Sequence, residues 1–391
     1  MSSNSLKYPT VQHSADVMTL SIDQVPVARP NGMQRPGKHS SAKRDGERHA
    51  QDVKITSIRG NQQLLDLSAE IRAGLSKPKH DGLRSFPSLL LWDERGLKHF
   101  EDLTYAPEYY LTNTEISLLE RHKHEIAKNI KSGSILLELG SGSLRKTNIL
   151  LKAIDAASKH VDYYALDLDR NELERTLKDL GPSNFQHVRC NGLLGTYEDG
   201  LAWLDSPANV HKPRVVLSLG STIGSFTRAE AAHFWTKWSV VLEGPRDSPT
   251  EGDSVDEMRD AQVIIGLDAC KDQERVWRAY NDIDGANERF ILNVLDHTNS
   301  QLGYKAFDRR HWTVVGEWDA EQGRHTQHLV PCNDVEFEGT RLEKGEKIFV
   351  VHSHKYDAAQ RSTLWDAARL KEDRSYMTED GNYGLHILLP A

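Results

Sequence analysis

Two glycines and an aspartate have the types and spacing to hold a nucleotide. Residues 135–146, Ile-Leu-Leu-Glu-Leu-Gly-Ser-Gly-Ser-Leu-Arg-Lys, run from an apolar stretch (Ile135–Leu139) into Gly140-Ser141-Gly142 and on to a helix-forming segment, Lys146–Ala156. A strand, a tight turn and a helix are predicted, with glycines where a backbone must come close to a bound nucleotide. The next apolar run, Tyr163–Leu168, carries Asp167 near its end, placed to accept hydrogen bonds from both ribose hydroxyls. A dinucleotide loop would read G-x-G-x-x-G, and its sixth position is Arg145 here. No Tyr-x-x-x-Lys pair accompanies the loop, which argues against hydride transfer to a nicotinamide.

These side chains need a sheet to position them. Apolar runs alternate with helical stripes: Ile135–Leu139, helix; Tyr163–Leu168, helix (Arg170–Leu180); Phe185–Cys190, helix (Asp199–Leu204); Arg214–Leu219, helix (Arg228–Leu242); Gln262–Leu267. A parallel sheet with helical crossovers satisfies that pattern. Upstream, Asn61–Leu75 carries a helical stripe (Leu64, Leu65, Leu67, Ile71, Leu75), and Ile116–Ile130 reads as a helix with Thr114 as N-cap. Glu243–Asp256 is a polar loop. From about Asn293, the shorter runs Trp312–Glu317, His325–Pro331, Asp334–Phe337 and Lys347–His352 predict an antiparallel meander.

Residues 1–55 are rich in Ser, Lys, Arg, Gly, Pro and His and are expected to form a disordered tail. The net charge of −8 disfavours a nucleic-acid partner, whose phosphates need clustered Lys and Arg. No apolar run approaches the roughly 20 residues of a membrane span, and the N-terminus lacks the apolar core of a secretory signal. Cys190, Cys270 and Cys332 are far apart and without C-x-x-C spacing, so they read as reduced thiols in a cytoplasmic protein, with no metal site.

From about residue 86 to the C-terminus, the chain resembles the histidine-specific type of S-adenosylmethionine-dependent methyltransferase: the α-N-methylating enzymes of ergothioneine biosynthesis and their fungal relatives acting on tryptophan derivatives. The resemblance rests on Phe100–Tyr110 with Thr112 and Glu115, the Glu138-Leu-Gly-Ser-Gly-Ser loop with Lys146-Thr147, Gly220-Ser-Thr-Ile-Gly-Ser-Phe226, Ala279-Tyr-Asn-Asp282, and Ser353-His-Lys-Tyr356. Glu138, two residues before the first glycine, also fits the methyltransferase habit. The resemblance implies a Rossmann-like α/β methyltransferase sheet with an inserted, partly β substrate-binding subdomain. It assigns S-adenosylmethionine to Gly140, Gly142, Lys146 and Asp167, with Asn191 and Gly192 at the adenine. Asn191 stands where the family usually has Asp, and an amide carbonyl can accept the same bond.

For the substrate, the resemblance implies contacts from Trp92, Phe100, Tyr109, Gly220, Ser225, Tyr280, Gln327, Val351 and Ser353. Tyr280 matches the tyrosine that binds the α-carboxylate, Ser225 replaces an asparagine that shares that duty, and Gly220 offers a backbone carbonyl near the amine. In the histidine enzymes, a Glu and a Ser two residues apart bind the imidazole; this chain has Val351 and Ser353. Valine cannot accept from an imidazole N–H, and it leaves an apolar wall suited to a larger ring. Gln327, where the family commonly has Met, is suited to meet an indole N–H, and Trp92 replaces the usual tyrosine near the amine.

An α-N-methyltransferase for tryptophan or a ring-modified tryptophan is therefore expected, with no metal and no side chain singled out as general base. Histidine as substrate is the alternative, and a catalytically idle, cofactor-binding partner subunit is another. The expected organisation combines 60–113 and 269–352 as substrate subdomain with 114–268 and 353–391 as cofactor domain. A stand-alone monomer acting on a small-molecule amino acid is expected.

Overall fold

The structure is a computed structural model that describes residues 53–60, 66–78, 82–181, 184–244 and 261–391. The expected tail (residues 1–52), the start of the first helix (61–65) and most of the polar loop (245–256) lie outside the described residues.

Eight strands form one Rossmann-like sheet: β1 (Lys54–Ser57), β2 (Ser134–Leu139), β3 (Val161–Asp167), β4 (Val188–Leu194), β5 (Arg214–Ser218), β6 (Ala261–Asp268), β12 (Leu370–Met377) and β13 (Tyr383–Pro390). Their order is β1-β4-β3-β2-β5-β6-β13-β12, parallel from β1 to β6, with β13 antiparallel to both its neighbours. β2 and β5 are buried along their whole length because helices cover both faces, which explains their unbroken apolar character. The covering helices include α3 (Tyr110–Asn129), α4 (Arg145–Ala156), α5 (Arg170–Leu180), α6 (Tyr197–Leu204), α7 (Arg228–Glu243) and α10 (Ala358–Ala367).

A second core belongs to the inserted part. It joins α1 (Leu67–Ser76), α2 (Glu94–Leu103) and α9 (Ala286–Leu302) to the sheet β11-β8-β7 and the hairpin β9/β10, while α8 (Gln273–Ala279) packs beside β7 but buries Val276 and Ala279 in the main core. These strands are β7 (Trp312–Asp319), β8 (Arg324–Pro331), β9 (Val335–Phe337), β10 (Thr340–Leu342) and β11 (Ile348–His354). Ile71, Phe86, Leu90, Phe290, Phe307, Leu329 and Val350 share one apolar cluster. The Phe86 N–H donates to the Phe349 carbonyl (2.9 Å), and the Phe349 N–H to that of Arg84 (2.8 Å). Segments far apart in sequence thus close on one another.

Several boundaries differ from the sequence expectation. β1 occupies residues 54–57, so the tail does not extend through residue 55. α3 begins at Tyr110, with Tyr109 rather than Thr114 at its N-cap. Burial of Leu111, Thr112 and Glu115 extends the helix back past the polar Thr-Asn-Thr signal. β4 spans Val188–Leu194 instead of Phe185–Cys190. Asn191-Gly192 reads as a turn, but Gly192 sits in the strand because Ile55 and Leu177 close over it: an added Cβ would lie 2.9 Å and 3.1 Å from their side chains. α9 runs to Leu302, past the expected change of pattern at Asn293.

Candidate active site

The loop between β2 and α4 forms the floor of the first cavity. Gly140 and Gly142 have φ of +68° and +51°, which L side chains rarely adopt, and a Cβ on Gly140 would lie 2.9 Å from the Tyr197 Oη. Gly140, Gly142, Lys146 and Thr147 line this cavity with Glu138, and Leu97, Phe100, Thr104 and Tyr109 face them. Beneath the loop, Glu138 accepts from Thr147 Oγ1 (2.6 Å) and the Tyr163 hydroxyl, and burial pushes its carboxyl up to about 7. Asp167 ends β3. Its Oδ1 accepts from the backbone N–H groups of Leu168 (2.7 Å) and Asp169 (3.3 Å), and burial raises its pKa to about 6 against those bonds.

The sequence-predicted adenine residues are not brought into this cavity. Asn191 lies inside β4, where its amide donates to the carbonyls of Tyr163 (3.3 Å) and Arg189 (3.4 Å), and Gly192 is paired in the same strand. The turn that follows β4 is Gly195-Thr196-Tyr197.

Sequence reasoning quoted Glu115 within a motif but gave it no role. Its carboxylate is fully buried, 2.7 Å from Lys146 Nζ, and accepts from the Gly220 N–H (3.0 and 2.9 Å) and the Tyr383 hydroxyl (3.0 Å). Glu115 therefore ties the lysine of the first cavity to the turn after β5. That turn holds Gly220 at φ +81°, where an added Cβ would stand 2.8 Å from Lys146 Nζ. The legible signal was an acid on an otherwise apolar helical face.

A second cavity adjoins the first, and the two share Phe100, Tyr109, Leu111, Gly220 and Thr222. Trp92, Phe100, Tyr109, Gly220, Ser225, Tyr280, Gln327, Val351 and Ser353 all line it. Val351 pairs directly with Gln327 across β11 and β8, and Ser353 with His325, so these four stand side by side on one face. At the ring end, Trp92 packs edge-on against Phe100 (5.2 Å between centroids) and tilted against Phe290 (5.3 Å). No Asp, Glu, Lys or Arg is among the described residues that line this cavity.

Several of these polar groups already have partners. Gln327 exchanges hydrogen bonds with Asn287: its Oε1 accepts from Nδ2 (2.8 Å) and its Nε2 donates to Oδ1 (3.2 Å). Asn287 also donates to the Tyr280 carbonyl (2.7 Å). The Ser225 hydroxyl donates to the Thr222 carbonyl (2.8 Å). The Tyr280 hydroxyl donates to Ser353 Oγ (2.8 Å), so the two side chains stand together. Asn287, Phe290 and His325 were not singled out from the sequence. His325 is fully buried and stacked on Tyr280 (4.4 Å, 15°), and burial holds it neutral with its pKa lowered to about 3.

Comparison with known proteins places the chain in a methyltransferase family. The profile of a family described as histidine-specific, S-adenosylmethionine-dependent methyltransferases matches residues 67–390. Ergothioneine biosynthesis protein 1 of Neurospora crassa is 44% identical over 344 residues, 88% of this chain. The chain spans 37% of that protein's length. N-methyltransferase imqF of Aspergillus flavus is 32% identical over 86% of this chain and 89% of its own. The 4-dimethylallyltryptophan N-methyltransferase easF of Claviceps purpurea is 34% identical over 80% of this chain and 91% of its own.

Proposed function

The chain belongs to the histidine-specific family of S-adenosylmethionine-dependent methyltransferases, and we propose that it methylates the α-amino group of tryptophan or a ring-modified tryptophan. The observation that carries the substrate is the wall made by Val351 beside Gln327, facing Trp92, Phe100 and Phe290 without a charged group. A wall of that kind favours a large apolar ring and offers an imidazole no anionic acceptor.

The donor loop fits the cofactor. Gly140 and Gly142 leave room for a close approach and Lys146 lines the same cavity for a carboxylate, while Asp167, at the end of β3 and outside that lining, is assigned to the ribose. The adenine edge falls to the Thr196-Tyr197 turn in place of Asn191 and Gly192. When bound, S-adenosylmethionine supplies a methyl group already activated on a sulfonium. The chain's own residues then have to position the amine. Gly220, shared by both cavities, presents its backbone at the junction. Tyr280 and Ser353 hold the carboxylate end, and the aromatic wall excludes water. Good positioning of this kind removes about 7–11 kcal/mol from a bimolecular barrier. The acceptor must lose its ammonium proton before transfer, and His325 in the same cavity, its pKa lowered to about 3 by burial, is too weak a base to take it.

Histidine as acceptor is the second reading, favoured by the 44% identity to a protein named for ergothioneine biosynthesis. Gln327 and Ser353 would then face the imidazole. Incubation with methyl donor and a panel of tryptophan, 4-prenylated tryptophan and histidine, read by mass spectrometry, tests both. Methylated tryptophans supersede the second reading; methylated histidine alone overturns the first.

A further inference from the structure

Behind Tyr280 and Ser353 lies a fully buried ion pair that the reaction as described does not use. Lys355 Nζ is 2.6 Å from Asp268 Oδ2, and neither side chain is accessible to solvent. Asp268 ends β6 and is held by the Tyr110 hydroxyl on Oδ2 (2.7 Å) and the Cys270 N–H on Oδ1 (2.9 Å). The same ammonium donates to Tyr280 Oη and to Ser353 Oγ, both at 3.1 Å. Replacing a buried ion pair by apolar residues is often neutral or stabilising, so stability alone gives little reason for this one.

The hydrogen-bond count shows what the pair does. The ammonium has three N–H groups and three oxygen acceptors, so none is left over. Tyr280 and Ser353 carry two hydroxyl protons, and one of them spans the 2.8 Å between the two oxygens. Whichever hydroxyl gives that proton, the other keeps one with no acceptor inside the network. Both hydroxyls line the substrate cavity. The surplus proton is thereby available to the cavity that both side chains line, next to the Lys355 ammonium. Burial works against the ammonium, but Asp268 and Tyr280 outweigh it and keep Lys355 protonated.

We propose that Lys355, paired with Asp268, is the positioning residue for the substrate's α-carboxylate: it orders the Tyr280 and Ser353 hydroxyls into a donor for an anion. Ser353 thereby belongs to the carboxylate end of the cavity, not to the ring end. The substrate class narrows to amino acids with a free carboxylate, as against their amides, esters or decarboxylated amines. The inference rests on the reading of this cavity as an amino-acid site.

The test compares kcat/KM for tryptophan, tryptophan carboxamide and tryptamine on the wild type and on Lys355→Met/Asp268→Asn, which removes both charges together. The wild type should prefer the acid by roughly ten- to a hundredfold, the worth of a charge-assisted hydrogen bond. The double variant should lose most of that preference, while S-adenosylmethionine affinity, read by calorimetry, reports an intact fold. A merely structural pair would lower all three substrates alike, and an unchanged ratio overturns the proposal. Should the double variant not fold, Tyr280→Phe and Ser353→Ala decide. Each alone leaves one hydroxyl bonded to Lys355 and should keep a preference, and the two together should abolish it; a preference that survives both overturns the proposal. A wild type that methylates acid and carboxamide equally sinks this inference alone. One that methylates no amino acid sinks the amino-acid reading with it.

Discussion

Val351→Glu probes the ring end of the cavity. Val351 is half-buried and directly opposite Gln327 on the neighbouring antiparallel strand, a relation that sets Cβ atoms about 4.5–5.5 Å apart. A glutamate there carries its carboxylate past Gln327 towards the space bounded by Trp92, Phe100 and Phe290. In the wild type, indole exceeds imidazole by a fused benzene ring, on the order of 100 Å² of apolar area, or about 2–3 kcal/mol at the usual transfer coefficient. Expressed in the transition state, that is a preference for tryptophan over histidine of roughly 30- to 150-fold in kcat/KM. The variant erodes it from both sides. The carboxylate gives an imidazole the acceptor it lacks, and it puts a charge where the indole must pack, with only the single indole N–H to offset its desolvation. The expected result is a fall of at least about tenfold in the tryptophan-to-histidine ratio. The assay is kcat/KM for both amino acids on both proteins at saturating methyl donor. A wild type that prefers histidine, or a variant with an unchanged ratio, refutes the assignment of the ring wall and leaves the family membership standing.

Three further outcomes follow from the cofactor side. S-adenosylmethionine affinity should weaken as pH falls through about 6, because burial raises the Asp167 pKa to about 6 and only the carboxylate offers both ribose hydroxyls a charge-assisted acceptor; Asp167→Asn should bind at least about tenfold more weakly at pH 8 and lose that pH dependence, and calorimetry between pH 5 and 8 that shows the same profile for both proteins would remove Asp167 from the site. Glu115→Gln should lower the urea midpoint, with a loss of about 2–4 kcal/mol. It removes the anion paired with Lys146 and weakens the acceptor of Gly220, and the partial exposure of Lys146 keeps the loss below the upper range for a fully buried pair. Gly220→Ala should cost about 1–2 kcal/mol for a β-carbon at positive φ and should also weaken cofactor binding, since that carbon meets Lys146 Nζ; an unchanged calorimetric Kd would take Lys146 out of the cofactor cradle.

The parallel part of the fold was legible because its signals are local. Buried strands read as apolar runs, Arg170–Leu180 matches its helix end to end, and the glycine loop marks its own turn. The misreadings arise where tertiary contact overrides a local signal. Asn191-Gly192 has the composition of a turn, but Ile55 from β1, more than a hundred residues upstream, packs over Gly192 and keeps it in the strand. That shift moves the loop after β4 to Gly195-Thr196-Tyr197 and leaves Asn191 outside the lining of the glycine-loop cavity. Likewise, the polar Thr-Asn-Thr run looks like a helix start, whereas Thr112 is buried inside α3 beside the first cavity. β12 and β13 were not read as individual strands, although their segment was assigned to the cofactor domain, since nothing local in either run says which edge it will join.

The chemistry of the site turns on which polar groups remain uncommitted, and that depends on partners a linear sequence does not display. Ser225 looks like a donor for a carboxylate, but its proton is held by the Thr222 carbonyl. Gln327 looks like a free amide, but Asn287 occupies both its ends and fixes its orientation. Lys355 looks like one more surface lysine two residues past Ser353, and in the fold it is fully enclosed. Once these commitments are counted, the ring end retains shape and apolar surface, with little hydrogen-bonding freedom. The opposite end retains one proton in excess, supported by a buried cation. Selection between rings must then come from volume and desolvation at Val351, and selection for the amino-acid head group from the donor at Tyr280 and Ser353. The two selections are separable: substitutions at Val351 should change ring preference and leave the acid-to-carboxamide ratio intact, because no charged or hydrogen-bonded group links the two ends through Val351 itself.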